Sequence, residues 1–164
     1  MDSKVLDLAR VSRVASGGRR FSFRAVVFVG DMKGKVGLGV AKGQDVAHAV
    51  EKATHQARKS MIAVPIAGNT IPHEVSAKFG ASFVILRPQK EGRGLVAGGP
   101  VRLICEKAGI RDISAKFISK THNKLNNARA TLKALEALSA QESVRPVSPV
   151  VVKQEDKDEV PEAS

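Results

Sequence analysis

The segment Gly92-Arg93-Gly94-Leu95-Val96-Ala97 has the G-x-G-x-x-G/A spacing of a dinucleotide-binding turn. In such a turn the glycines let backbone amides approach a pyrophosphate, and an acid about twenty residues on holds a ribose hydroxyl. Asp112 stands at about that interval, and the segment falls between a predicted strand and a predicted helix. Three features count against cofactor chemistry. The acid should close the second strand, whereas Asp112 opens it. Pro100 suits the first position of a helix, which puts the helix start several residues past the fingerprint. The rest of the chain also supplies too few βα units for a doubly wound sheet. No cofactor is expected. A glycine-rich loop that ends at a helix amino terminus still makes an anion site, with Arg93 and Arg102 adding charge. An RNA phosphate, an acidic protein neighbour and a purely structural turn all fit it.

A second glycine cluster, Gly34-Lys35-Val36-Gly37-Leu38-Gly39-Val40-Ala41-Lys42-Gly43, lacks the Gly-Lys-Ser/Thr ending of a phosphate-binding P-loop. Alternating glycines along a strand admit the close approach of a second backbone or of a sugar-phosphate chain. Lys33, Lys35 and Lys42 decorate the element, and nucleic-acid contact is the reading we adopt. Catalytic constellations are missing. The four histidines, His48, His55, His73 and His122, show no metal-ligand spacing and no evident carboxylate or cysteine partner. Cys105, the single cysteine, cannot form an internal disulfide and is expected to be a small buried apolar side chain. No enzymatic activity is expected.

Charge supplies the partner. The chain has 27 basic and 16 acidic residues, a net charge of +11. Residues 141–164 hold six acids against Arg145, Lys153 and Lys157, so that stretch carries −3 and residues 1–140 carry +14. A folded body so cationic repels itself unless a polyanion neutralises it, and nucleic acid is the usual one. The chain has no Trp or Tyr and six Phe. That scarcity points to recognition of phosphate and shape more than to base stacking, although a surface Phe would still serve for stacking. There is no amino-terminal signal sequence and no apolar run of membrane-spanning length, so the expected compartment is the cytoplasm.

The elements that must position these residues follow from periodicity. Alternation over residues 5–15 predicts a first strand, and Ser16-Gly17-Gly18-Arg19-Arg20 a cationic turn. Phe21 to Val29 predicts a second strand with Phe21, Phe23, Ala25, Val27 and Val29 on one face. Gly30-Asp31-Met32-Lys33-Gly34 turns the chain into a third strand, Lys35 to Ala41. The period then changes to that of a helix from about Asp45, a candidate cap, to Met61, with Val46, Val50, Ala53 and Ala57 as its inner stripe. The first half is thus expected to be a three-stranded antiparallel sheet covered on one face by a helix. Further strands are predicted at Val75–Phe79, at 81–88 and at Ile110–Ile118, and helices from Pro100 to Ala108, stopped by Gly109, and from Asn123 to Leu138. Ala128, Leu132 and Leu135 should face inward on the last of these. The fold class is α+β. Residues 1–64 form one domain, 65–72 a proline-containing connector, 73–140 a second domain, and 141–164 an acidic tail expected to be disordered.

Residues 18–46 combine Gly18-Arg19, Phe23, Ala25, an apolar strand to Gly30-Asp31, Gly34, Gly37, Gly39, Ala41-Lys42 and Val46. That pattern resembles the signature of the bacterial small-subunit ribosomal protein five family. Thr70-Ile71-Pro72-His73-Glu74-Val75, Gly94-Leu95-Val96-Ala97-Gly98-Gly99-Pro100-Val101-Arg102 and Asn123 through Thr131 are similar to further parts of the same family. Two departures stand out. Lys120 takes the place of a usual glycine, and Asn123-Lys124 the place of a usual Asn-Pro step, so the turn before the last helix is expected to take its own form and Lys120 and Lys124 become phosphate candidates.

The resemblance implies an amino-terminal domain like a double-stranded-RNA-binding fold and a second α+β domain. It implies binding to small-subunit ribosomal RNA near the decoding region, with the Ser16–Arg20 loop close to where spectinomycin acts. Gly98, Gly99 and Arg102 would meet ribosomal protein four at an interface tied to decoding accuracy, and ribosomal protein eight is a further implied neighbour. Arg10, Arg13, Arg19 and Arg20 become candidates for contact with messenger RNA at the pore where it enters the subunit. The expected RNA-binding set is then Arg10, Arg13, Ser16, Gly17, Gly18, Arg19, Arg20, Arg24, Lys33, Lys35, Lys42, Lys120, Lys124 and Arg129. A different class, a free-standing regulator that binds duplex RNA away from ribosomes, shares the same chemistry and fold.

Overall fold

The computed structural model describes residues 1–141, with side chains placed through Leu138. Of the tail expected to be disordered, Gln141 ends the last helix, and residues 142–164 lie outside the described residues. The first sheet is antiparallel and has the order β1-β2-β3-β4: β1 (Asp2–Ala15), β2 (Gly18–Gly30), β3 (Lys35–Gly43) and β4 (Met61–Ala63). β1 and β2 pair from Asp2 opposite Gly30 to Ala15 opposite Gly18, with an irregularity between Val5 and Asp7. β3 joins β2 only from Phe23 opposite Gly43 to Gly30 opposite Val36. Residues 11–22 therefore pair only with each other, and the hairpin projects past the sheet as a two-stranded arm.

The expected three strands are four. β4 is three residues long and too short to show a period. It is placed by Ser60, whose backbone amide donates to the Gln56 carbonyl (3.1 Å) and whose hydroxyl donates to the Leu38 carbonyl of β3 (2.9 Å).

Helix α1 (Val46–Lys59) lies on one face of this sheet, packing Ala49, Ala53 and Ala57 against Ala25, Val27 and Val29. Of the expected stripe, Ala53 and Ala57 are buried and Val50 packs half-buried beside them; Ala49 joins it, and Val46 is 39% exposed. Small side chains bring the helix close, and the sheet answers with glycine. A Cβ at Gly39 would collide with the Ala53 carbonyl, and one at Gly37 with that of Ala57. The alternating glycines thus seat the helix backbone, which corrects their assignment to a sugar-phosphate chain. Asp45 occupies the cap position but its side chain makes no capping hydrogen bond.

The opposite face of the sheet is buried too. Val26 and Phe28 are fully inaccessible, so the run Ala25–Val29 is enclosed on both sides, as an unbroken apolar stretch requires. What encloses it belongs to the second half of the chain. Phe28, Val36 and Val64 share one core with Val101, Ile104, Cys105, Ile110 and Leu135. The second sheet has the order β5-β6-β8-β7, made of β5 (Val75–Phe79), β6 (Ser82–Pro88), β7 (Leu95–Val96) and β8 (Ile113–Phe117). β7 runs parallel to β8, out of the glycine-rich loop, where no strand was expected.

Helix α2 (Gly99–Ala108) packs against β1, β2, β3 and β7, and helix α3 (Lys124–Gln141) crosses β5 and β6. α2 begins and ends as its residues dictate, with Pro100 in the first turn and Gly109 left-handed at φ +91, its amide returning to the Cys105 carbonyl (3.0 Å). The turn between β2 and β3 grips that end: Met32 donates to the Lys107 carbonyl (3.1 Å) and Gly34 to that of Ala108 (2.8 Å). Lys107 is buried and ion-paired with Asp2 on β1. Asn123 caps α3, its carboxamide oxygen accepting from the amides of Leu125 (3.1 Å) and Asn126 (3.3 Å). Ala128 and Leu135 are buried and Leu132 half-buried. Cys105 is enclosed, and burial pushes its thiol up to about 12.

Candidate nucleic-acid interface

The projecting hairpin carries Arg10 and Arg13 on β1, Ser16 and Gly17 in the turn, and Gly18, Arg19, Arg20 and Arg24 on β2. Gly18 sits at φ +115, where a side chain is strained, so glycine closes the tight turn. Opposed residues of an antiparallel pair share a face, and successive residues alternate. The register thus sorts the side chains. Arg10, Ser12 and Val14 share one face with Arg19, Phe21 and Phe23, the face that α1 covers nearer the core. Arg13 stands directly opposite Arg20 on the other face, and Arg24 directly opposite Lys42 of β3 farther along it.

Like charges placed directly opposite each other oppose folding. Two such pairs on this face, Arg13 with Arg20 and Arg24 with Lys42, concentrate positive charge along it. Asp7, on the same face, partly offsets it: its carboxylate lies 3.7 Å from the Arg24 guanidinium and 3.2 Å from the Lys124 ammonium at the start of α3. Arg24 and Lys124, a hundred residues apart in the chain, are thereby brought to one place. Two cations on one acid leave the cluster positive, and the Arg24 Nε, buried, has no hydrogen-bond partner among the described residues.

The other face holds a different arrangement. The Arg10 guanidinium sits 3.8 Å from the centroid of the Phe21 ring, a cation–π contact between diagonal neighbours. The remaining candidates lie apart. Lys33 and Lys35 are at the far end of β2, which spans 13 residues, or about 40 Å from the hairpin turn. There the Asp31 carboxylate accepts from the amides of Lys33 (2.8 Å) and Lys35 (2.9 Å). Burial raises the Asp31 pKa, but those hydrogen bonds and the Lys35 charge outweigh it, and the group titrates below the usual carboxylate range. Lys120 is exposed ahead of α3, and Arg129 reaches over the Phe79 ring at 5.4 Å.

The glycine-rich loop is organised by its own backbone. Asp112, the acid of the dinucleotide fingerprint, is buried and accepts from the Gly94 amide at 2.7 Å, while Asn69 uses its carbonyl to hold the amides of Arg111 and Asp112. The acid braces the loop. Arg102 donates to the Leu95 carbonyl at 2.9 Å and closes one side of a groove with Val96, Gly98, Lys116 and Phe117. Gly98 packs near the Phe117 ring, and Gly99 is open to solvent. Among the described residues no three His, Cys, Asp or Glu side chains cluster as a metal site would, and no helix is long and apolar enough to cross a membrane.

The composition signalled the cations of the hairpin but not Asp7, whose mark in the sequence is a break in the alternation of β1. Nor did it place Arg10 over Phe21, because that contact depends on register. Fold and site define an α+β protein with a projecting, cationic two-stranded arm and no catalytic or metal cluster among the described residues.

The comparisons make the class particular. Residues 1–65 match the family described as ribosomal protein S5, N-terminal domain, and residues 77–146 match ribosomal protein S5, C-terminal domain. Over 141 residues the chain is 50% identical to the small ribosomal subunit protein uS5 of Lawsonia intracellularis, covering 86% of each. It is 47% identical over 142 residues to protein uS5c of Phaeodactylum tricornutum (86% of this chain, 80% of the other). It is 49% identical over 142 residues to protein uS5 of Mycoplasmopsis agalactiae (86% and 61%). The chain belongs to the ribosomal protein S5 family, whose members are structural, non-enzymatic constituents of the small ribosomal subunit, with RNA binding general among them.

Proposed function

We propose that this chain holds ribosomal RNA in the small subunit through the two-faced β1–β2 hairpin, with Arg13, Arg20, Arg24, Lys42 and Lys124 as its phosphate-binding side. The observation that carries this is the direct opposition of Arg13 and Arg20, followed on the same face by Arg24 and Lys42. Ser16, Gly17 and Gly18 let the turn approach a backbone closely, and Arg19 adds charge at the tip. Lys33 and Lys35, about 40 Å away, serve a separate stretch of RNA, as do Lys120 and Arg129 beside α3.

The groove at Gly98, Gly99 and Arg102 is assigned to a neighbouring ribosomal protein, with protein four the partner the family resemblance implies and protein eight a second neighbour. Decoding accuracy would act through that interface. Contact with messenger RNA where it enters the subunit falls to Arg10, Arg13, Arg19 and Arg20, which share the protruding arm. We also read residues 1–64 and 73–140 as two domains joined by 65–72, supported by the two separate sheets.

Two measurements test the reading. Sedimentation of lysate through a density gradient at a salt concentration that strips loosely bound basic proteins should leave the chain with the small subunit in stoichiometric amount. Recovery in the light fractions would indicate a free-standing RNA-binding regulator instead. Replacing Arg19 and Arg20 with Ala should weaken RNA binding and flatten its salt dependence, since each phosphate contact releases counterions. An unchanged salt slope rejects the hairpin as a phosphate site.

A further inference from the structure

We infer that the second face of the hairpin is a stacking site for one unpaired RNA base, with Phe21 as the platform and Arg10 as the group that sets it. The inference rests on the hairpin being an RNA-binding arm and adds to it the kind of RNA recognised. Phe21 is 52% exposed, although it is a large aromatic side chain in a protein with no Trp or Tyr and six Phe. Its neighbour two residues on, Phe23, is drawn into the α1 core, so the apolar stripe of β2 has a core role up to Phe23 and none at Phe21. The Arg10 guanidinium lies 3.8 Å from the ring centroid on one face, and the residue is still half open to solvent.

That is the arrangement a nucleobase needs. Stacking on an aromatic face is tolerant of base identity, because every base has a π-face. The guanidinium holds the ring in one orientation and so lowers the ordering cost of binding. Arg19 stands two residues before Phe21 on the same face and meets the phosphate of the stacked nucleotide. A fully paired duplex offers no base to this face, whereas its phosphates satisfy the opposite face, where Arg13, Arg20, Arg24 and Lys42 lie. The arm therefore favours a helix interrupted by a bulged or unstacked nucleotide over a continuous one.

The chain has no Trp, so Phe21→Trp makes a protein with a single indole at the site. The full chain is titrated with a paired RNA duplex and with the same duplex carrying one bulged adenosine. Binding is followed by anisotropy of labelled RNA and by indole emission. The bulged duplex should quench the emission and bind about tenfold more tightly than the paired one. Phe21→Leu should lose that tenfold preference while keeping the paired-duplex affinity and its salt slope. Equal affinity for both RNAs with unquenched emission, or a Phe21→Leu protein that keeps the preference, overturns the stacking site and leaves the phosphate face standing. Salt-insensitive binding to both RNAs would overturn the RNA-binding arm itself, and the stacking site with it.

Discussion

Arg20→Gln should make the free protein more stable and its RNA complex weaker, and the opposed signs are what the hairpin register demands. Arg20 faces Arg13 directly across β1 and β2. Two unit charges about 5 Å apart in water repel by about 0.8 kcal/mol, and screening at 0.1 M salt reduces this to about 0.5 kcal/mol. Both side chains are exposed, so the solvent value applies and no larger one. Gln keeps most of the aliphatic stem and removes the charge. For a chain of this size, relief of about 0.5 to 0.8 kcal/mol raises the Tm by about 1–3 °C in dilute buffer, and the gain disappears at high salt. With RNA the same change removes one phosphate contact and reduces the slope of log K against log salt by about one. The assays are scanning calorimetry of the free protein at two ionic strengths and a salt titration of RNA affinity. A lowered Tm would show that Arg13 and Arg20 do not repel, and an unchanged slope would show that Arg20 does not neutralise phosphate. Either result refutes the reasoning.

Three further outcomes are expected. Gly39→Ala drives a methyl group into the Ala53 carbonyl of α1 and should cost about 3 kcal/mol or more in denaturant unfolding, whereas Gly99→Ala, with open space around it, should cost under about 1 kcal/mol. Asp31 titrates below its ordinary value when folded, so it stabilises the protein above pH 4, and this is lost as pH falls through the lower folded pKa. Asp31→Asn should therefore lower the Tm at pH 7 and leave little difference from the parent at the lowest pH at which both still fold. The Cys105 thiol, pushed up to about 12 by burial, should not react with a thiol reagent in the native protein at pH 8 and should react fully once denatured; prompt native reaction would contradict its enclosure.

Several features were legible because they are local. Pro100 and Gly109 bracket α2 through the missing proline amide and the left-handed glycine. Ser16-Gly17-Gly18 closes a hairpin between two alternating runs, and the strands from Val75 and Ser82 lie within a residue of their expected limits. The α+β class followed from the change of period after Gly43. Other features were not legible. β4 and β7 are three and two residues long, and each exists only because a partner strand accepts it. On α1 the unexpected member of the buried stripe is Ala49 in place of Val46, at the end where Gly43 of β3 lies against the Ala49 backbone.

The sequence by itself determined that this protein is a basic, apolar-cored α+β chain with arginines crowded around a glycine turn, since composition, charge and period are properties of short stretches. Only the tertiary structure decided how those arginines divide. Parity along one strand says that Arg19 and Arg20 point opposite ways, but it takes the pairing of β1 with β2 to set Arg13 against Arg20 and Arg10 over Phe21. In the same way the apolar run of β2 shows that Phe28 wants cover, while the cover itself comes from the core of Ile104, Leu135 and their neighbours more than seventy residues away. Register and long-range packing are set by the whole core at once, and no window of the sequence contains them.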